Sequence, residues 1–166
     1  TAVAWGCAVK RDNGPSTLVF SRQNLPFAQR TPQQIAAIAR GGYVLADCKG
    51  TPDAVLIATG SEVSIAQAAA DALKAENINV RVVSVPSTTV FDKQDPAYKA
   101  SVLPAGVPRI AVEAGVTDYW WKYQCAAVVG IDSFGESAPA GVLYKHFGLT
   151  AENVADTVKS VVQFWA

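Results

Sequence analysis

Two carboxylates, Glu113 and Glu136, each stand just past an apolar stretch, in Val112-Glu-Ala-Gly115 and Phe134-Gly-Glu-Ser137. Held close, such a pair could do acid–base work, because two like charges push their pKa values apart. Held apart, they are capping or interface groups. Arg22 follows the apolar run Leu18-Val-Phe20. A guanidinium at the end of a strand suits bidentate recognition of phosphate or carboxylate; an ordinary surface or salt-bridged arginine fits the same spacing. His146, the only histidine, lies in the last turn of an expected helix before Gly148. The helix dipole favours positive charge there, but no nucleophile motif flanks it, and a structural role is expected. Cys7, Cys48 and Cys125 form no C-x-x-C pair. Their spacing does not fit a zinc site, and free thiols of a cytosolic protein are the plain reading.

Tyr119, Trp120, Trp121 and Tyr123 fall within five positions. Adjacent residues on a helix point about 100° apart, so these rings cannot all enter one core. Interface cores are enriched in aromatics. Tyr119, Trp120 and Trp121 are therefore candidates for a subunit or domain interface, with partial solvent exposure as the alternative.

The elements that must position these groups are organised around Asp53-Ala-Val-Leu-Ile-Ala-Thr-Gly-Ser-Glu62. Ala54 to Ala58 is an unbroken apolar run too short for a helix, as expected of a strand covered on both faces. Residues 61–76 then place Val63, Ile65, Ala66, Ala69, Ala70 and Leu73 at helical spacing. Either Thr59, in a capping box with Glu62, or Ser61 is the expected N-cap. A strand over 79–85 completes a right-handed β-α-β unit. Tyr43 to Ala46 is a short strand only a brief loop from 54–58, so it should run antiparallel at an edge. Further strands are expected at 109–113 and 128–132, and helices over 88–103, 117–125, 137–146 and from 150. The last should bury Val154, Val158, Val161, Val162 and Trp165. These elements make an α/β fold of three layers, a mostly parallel five-stranded sheet with one antiparallel edge strand and helices on both faces. Turn groups at Thr59–Ser61, Pro86–Ser87, Glu113–Gly115 and Phe134–Ser137 would gather at the carboxyl edge. Open α/β sheets bind ligands there, although any such fold needs turn and cap residues at these points.

Ahead of that domain, residues 1–10 read as a helix and 16–21 as a strand with nothing local to complete them. Thr31-Pro-Gln-Gln34 carries the start signals of a short helix, and Gly41 its stop. Residues 1–40 hold Lys10, Arg11, Arg22, Arg30 and Arg40 against Asp12 alone, while the whole chain of 166 residues has zero net charge. That balance argues against nucleic acid, and no apolar run approaches the length of a membrane span. The chain begins with Thr and has no Met, as expected of a piece of a longer protein.

Eight motifs, in order along the whole chain, resemble the transketolase family in its bacterial form. They are Ser21-Arg-Gln-Asn-Leu25, Arg40-Gly-Gly-Tyr-Val44, Ala58-Thr-Gly-Ser-Glu62, Phe91-Asp-Lys-Gln-Asp95, Ser101-Val-Leu-Pro104, Val112-Glu-Ala-Gly115, Phe134-Gly-Glu-Ser-Ala-Pro139 and Phe147-Gly-Leu-Thr150. The resemblance implies that residues 1–30 are the tail of a pyrimidine-binding domain, 31–42 a linker helix and 43–166 a C-terminal domain. It implies transfer of a two-carbon ketol unit from a ketose phosphate to an aldose phosphate, in the pentose phosphate pathway of the cytoplasm. The cofactors would be thiamine diphosphate and a divalent cation, Mg or Ca. The partners would be the rest of the chain and a second subunit of a homodimer. The family's diphosphate–metal motif, its activating Glu and its substrate histidines have no counterpart here. The chain alone should therefore bind no cofactor and serve as a non-catalytic, dimer-supporting module. Arg22, in Ser-Arg-Gln, matches the arginine that contacts the substrate phosphate in the family. The alternative is a free-standing domain that binds a nucleotide or small anion. A second expectation is that Leu18 and Phe20, or else Val19 with its neighbours, pack against atoms outside this chain rather than join the 43–166 sheet.

Overall fold

The computed structural model describes residues 1–165. Five strands, β1 (Tyr43–Ala46), β2 (Ala54–Ala58), β3 (Val80–Ser84), β4 (Arg109–Val112) and β5 (Cys125–Val129), form one sheet. Their order is β1-β3-β2-β4-β5. β3, β2, β4 and β5 are parallel, and β1 pairs antiparallel with β3. All five residues of β2 are buried because β2 is the central strand and both its faces are covered. Leu56 joins one core cluster with Leu73 of α3 (Glu62–Ala75) and Val154 and Val158 of α7 (Ala151–Trp165). Val55 and Ile57 point the other way, into a cluster with Phe91, Val102, Trp120 and Tyr123. That second layer comes from α4 (Thr88–Asp92), α5 (Pro96–Val102) and a 3-10 helix over Thr117–Tyr123.

The edge strand has the expected sense but a different neighbour. Both sides of β2 are taken by parallel partners, so the free edge lies outside β3. The short connection crosses below β3, where Asp53 and Asn79 exchange bonds of 2.8 and 2.7 Å. Asp47 then grips Arg81 of β3 with both carboxylate oxygens, at 2.9 and 2.8 Å.

Other expectations shift. β5 begins at Cys125, three residues early, because the aromatic stretch is a tight 3-10 helix. It ends on Gln124 in the left-handed region (φ 57°), which turns the chain directly into the strand. α6 (Ala140–His146) starts only after Pro139. Residues 16–21 form no regular element and pair with no strand, and Val19 is 89% exposed. The expected burial of Trp165 fails too. It is exposed, as is Phe164, since the last turn of α7 runs past the surface its earlier turns cover.

No residue from 1 to 40 is buried, including all of α1 (Ala2–Lys10). α2 (Pro32–Ile38) has the full capping box between Thr31 and Gln34. The Gln34 amide also donates to the Val44 and Leu45 carbonyls, at 3.1 and 2.7 Å. Arg40 lies flat over the Tyr98 ring, 3.3 Å from its centroid, and pairs with Asp95. Gly41 takes φ +85°, and an added Cβ would sit 2.4 Å from the Phe91 nitrogen and the Ser87 oxygen.

Candidate functional site

β2 ends and α3 begins without the side-chain cap that Thr59 or Ser61 was expected to give. Ser61 is itself helical (φ −67°, ψ −30°), and its hydroxyl donates instead to Glu62 Oε1 at 2.8 Å. Tyr144, from α6, donates to the same oxygen at 2.5 Å, and the two hydroxyls lie 2.9 Å apart. Two donors on one carboxylate oxygen explain how Glu62 can be only 3% exposed, since a buried charge needs such bonds. Burial also pushes the Tyr144 hydroxyl up in pKa, and the Glu62 charge adds to that.

Glu113 stands at the end of the neighbouring strand β4. Burial, then the Glu62 charge, raises its pKa to about 7. Its Oε2 is buried with no hydrogen-bond partner among the described residues. The charge that acts on Glu113 is that of Glu62, while Glu136 is exposed on the loop before α6. Around neutral pH the Glu113 carboxyl is partly protonated.

Beside Tyr144 runs the segment Ser21–Asn24. Gln23 Nε2 reaches the Tyr144 hydroxyl at 3.5 Å, and Ser21 Oγ lies beside Gly60, 3.8 Å from where a Cβ would stand. Arg22, Gln23, Asn24, Pro139, Leu143 and Tyr144 line an open cleft of about 640 Å³. Arg22 is exposed within it. The other edge groups do ordinary work. Ser87 caps α4 through the Val90 N–H, and Phe134 is 97% exposed. His146 is exposed, with its ring edge-on to Phe147. Cys125 is buried, and burial raises its thiol to about 11, so it is a poor nucleophile.

The aromatic group divides. Trp120 is 3% exposed and belongs to the core with Tyr123, so it is not an outward interface ring. Tyr119 and Trp121 are about half exposed. Lys122 sits over the Tyr119 ring and pairs with Asp92, which also accepts from the Tyr123 hydroxyl.

Sequence reasoning set Glu62 down as a helix-cap residue and passed over Tyr144. Eighty-two positions separate the two in the chain, so no local spacing could have joined them.

A family model described as the transketolase-like TK C-terminal domain matches residues 41–150. The chain belongs to the transketolase family. It is 55% identical to transketolase 1 of Pasteurella multocida over 98% of its own length and 25% of that protein. Transketolase from Leishmania mexicana superposes with a TM-score of 0.91 at 43% identity, over 98% of this chain and 23% of that one. A Pichia stipitis transketolase described in complex with sedoheptulose-7-phosphate superposes at 0.90 with 38% identity, over 99% of this chain and 24% of that one. The chain spans about a quarter of the length of the transketolases it matches. A free-standing nucleotide- or anion-binding domain, the alternative expectation, is not favoured by these matches.

Transketolase membership implies thiamine diphosphate and a divalent cation in the whole enzyme. The carboxylates at this edge are poor ligands for a cation. Glu62 already accepts two protein hydroxyls, and Glu113 is held toward its neutral form. No cluster of three or more His, Cys, Asp or Glu side chains suited to a metal occurs among the described residues. No helix among them is long and apolar enough to cross a membrane.

Proposed function

We propose that this chain works as the C-terminal portion of a transketolase. The whole enzyme moves a two-carbon ketol unit from a ketose phosphate to an aldose phosphate, in the pentose phosphate pathway of the cytoplasm. Thiamine diphosphate and its divalent cation (Mg or Ca) would be held by parts of the enzyme other than this chain. Residues 43–166 form a structural domain that supports a homodimer, residues 31–42 a linker helix, and residues 1–30 the tail of the pyrimidine-binding domain. The observation that carries this reading is the contrast between the two parts. The sheet from Tyr43 onward has two cores, whereas residues 1–40 contain no fully buried residue and expose Val19, Phe20 and Phe27. Apolar side chains left open in this way call for a covering surface elsewhere. Arg22, exposed at the cleft, contributes the substrate-phosphate contact.

Arg22→Ala in the full-length enzyme tests the reading. Loss of a charge-assisted bond costs roughly 1.5–3 kcal/mol, so KM for a phosphorylated ketose should rise about ten- to a hundredfold. Affinity for thiamine diphosphate should not change. An equal loss with the unphosphorylated sugar would remove Arg22 from the phosphate site.

A further inference from the structure

We propose that Tyr144 is a positioning residue for Arg22: anchored on the buried carboxylate of Glu62, it holds the Ser21–Asn24 segment that presents the guanidinium to a substrate phosphate. This rests on the reading of Arg22 given above and adds the parts of the C-terminal domain that serve it.

Segment 21–24 has no regular structure and no buried residue of its own. A guanidinium carried on it is held in place only through contacts with other elements. One hydrogen bond reaches the domain's carboxyl edge, from Gln23 Nε2 to the Tyr144 hydroxyl at 3.5 Å, and Ser21 Oγ lies on the side of Gly60 where a Cβ would stand. The Tyr144 hydroxyl is fixed in turn. Its proton goes to Glu62 Oε1, which leaves an oxygen lone pair toward Gln23. Glu62 opens α3 on the central strand, the most buried part of the fold, so the anchor does not move with the loop. Tyr144 and Arg22 also line the same cleft. A chain of contacts thus runs from the rigid sheet through Glu62, Tyr144 and Gln23 to the residue beside Gln23. Arranging a binding group in advance spares the cost of ordering it when ligand arrives.

The test compares Tyr144→Phe with Arg22→Ala in the full-length enzyme, with sedoheptulose 7-phosphate and sedoheptulose as donors and a fixed saturating acceptor. Phe keeps the ring and its packing and removes only the hydroxyl. Tyr144→Phe should raise KM for the phosphorylated donor about three- to tenfold, the range expected for one neutral hydrogen bond. It should leave kcat, and the KM for the unphosphorylated sugar, unchanged. Glu62→Gln, which weakens the anchor but leaves Tyr144 in place, should shift the same KM in the same direction. If Arg22→Ala is selective for the phosphorylated donor and Tyr144→Phe is silent, the positioning role is overturned while the phosphate site stands. If Tyr144→Phe affects both donors alike, its role is structural and the proposal is again overturned. If Arg22→Ala shows no selectivity, the phosphate site falls, and the positioning role falls with it.

Discussion

Glu62, just after β2, and Glu113, just after the adjacent strand β4, are coupled through charge, and of the two only Glu62 has side-chain hydrogen-bond donors among the described residues. Glu62 takes the hydroxyls of Ser61 and Tyr144, while Glu113 Oε2 is buried without a partner. Burial and the Glu62 charge together raise the Glu113 pKa to about 7.

A pH dependence of stability follows. The folded state holds the Glu113 proton more tightly than the unfolded chain, whose carboxyl titrates near 4.5. Between these values the folded state binds more protons, so stability falls as pH rises. The stabilising contribution is complete below about 4.5 and lost as pH passes about 7. Glu113→Gln, which cannot ionise, should match the native chain at pH 4 and melt at a higher temperature at pH 8. Thermal unfolding at both pH values checks this; an unchanged difference between them would mean Glu113 ionises freely in the fold.

Gly41 gives a second expectation. Its φ of +85° disfavours any side chain, and a Cβ would fall 2.4 Å from backbone atoms of Phe91 and Ser87. Neither atom can swing aside, because Phe91 lies in the core and Ser87 N–H bonds the Gly41 carbonyl. Gly41→Ala should therefore destabilise by about 3 kcal/mol or more, combining strain with a backbone clash. Chemical denaturation measures it, and a loss under about 1 kcal/mol would show that this junction relaxes easily.

Two neighbouring tryptophans should behave oppositely. Trp120 packs beside Tyr123 with centroids 5.8 Å apart, and Trp120→Ala should cost about 3–5 kcal/mol by opening a core cavity. Trp121 is half exposed, and Trp121→Ala should change the stability of this chain by less than about 1 kcal/mol. In the full-length enzyme the same change should weaken subunit association, read by sedimentation at decreasing concentration. Unchanged association would remove Trp121 from the proposed dimer surface.

The α/β class, the central strand, the helix after it and the antiparallel edge were legible in the sequence. Each rests on local chemistry: an unbroken apolar run for a doubly covered strand, a 3.6-residue stripe for a helix, and a loop too short for a crossover. The capping box of Thr31 and Gln34 was legible for the same reason, since both partners lie within one turn. What the sequence left undetermined depends on which elements compete for a surface. β1 pairs with β3 because β2 has no free edge, a fact of sheet order that no stretch of 43–58 contains. Residues 16–21 have a strand's composition yet no strand beside them, and hydrogen-bonded pairing requires a partner. At the site, the sequence left Glu113 and Glu136 either paired or apart as capping or interface groups, whereas in the fold the Glu62 charge acts on Glu113 and the Tyr144 hydroxyl bonds Glu62. Residue types set which groups can titrate or donate. Only tertiary packing decides which are buried together, and burial is what raises the Glu113 pKa and gives the Tyr144 hydroxyl its fixed direction.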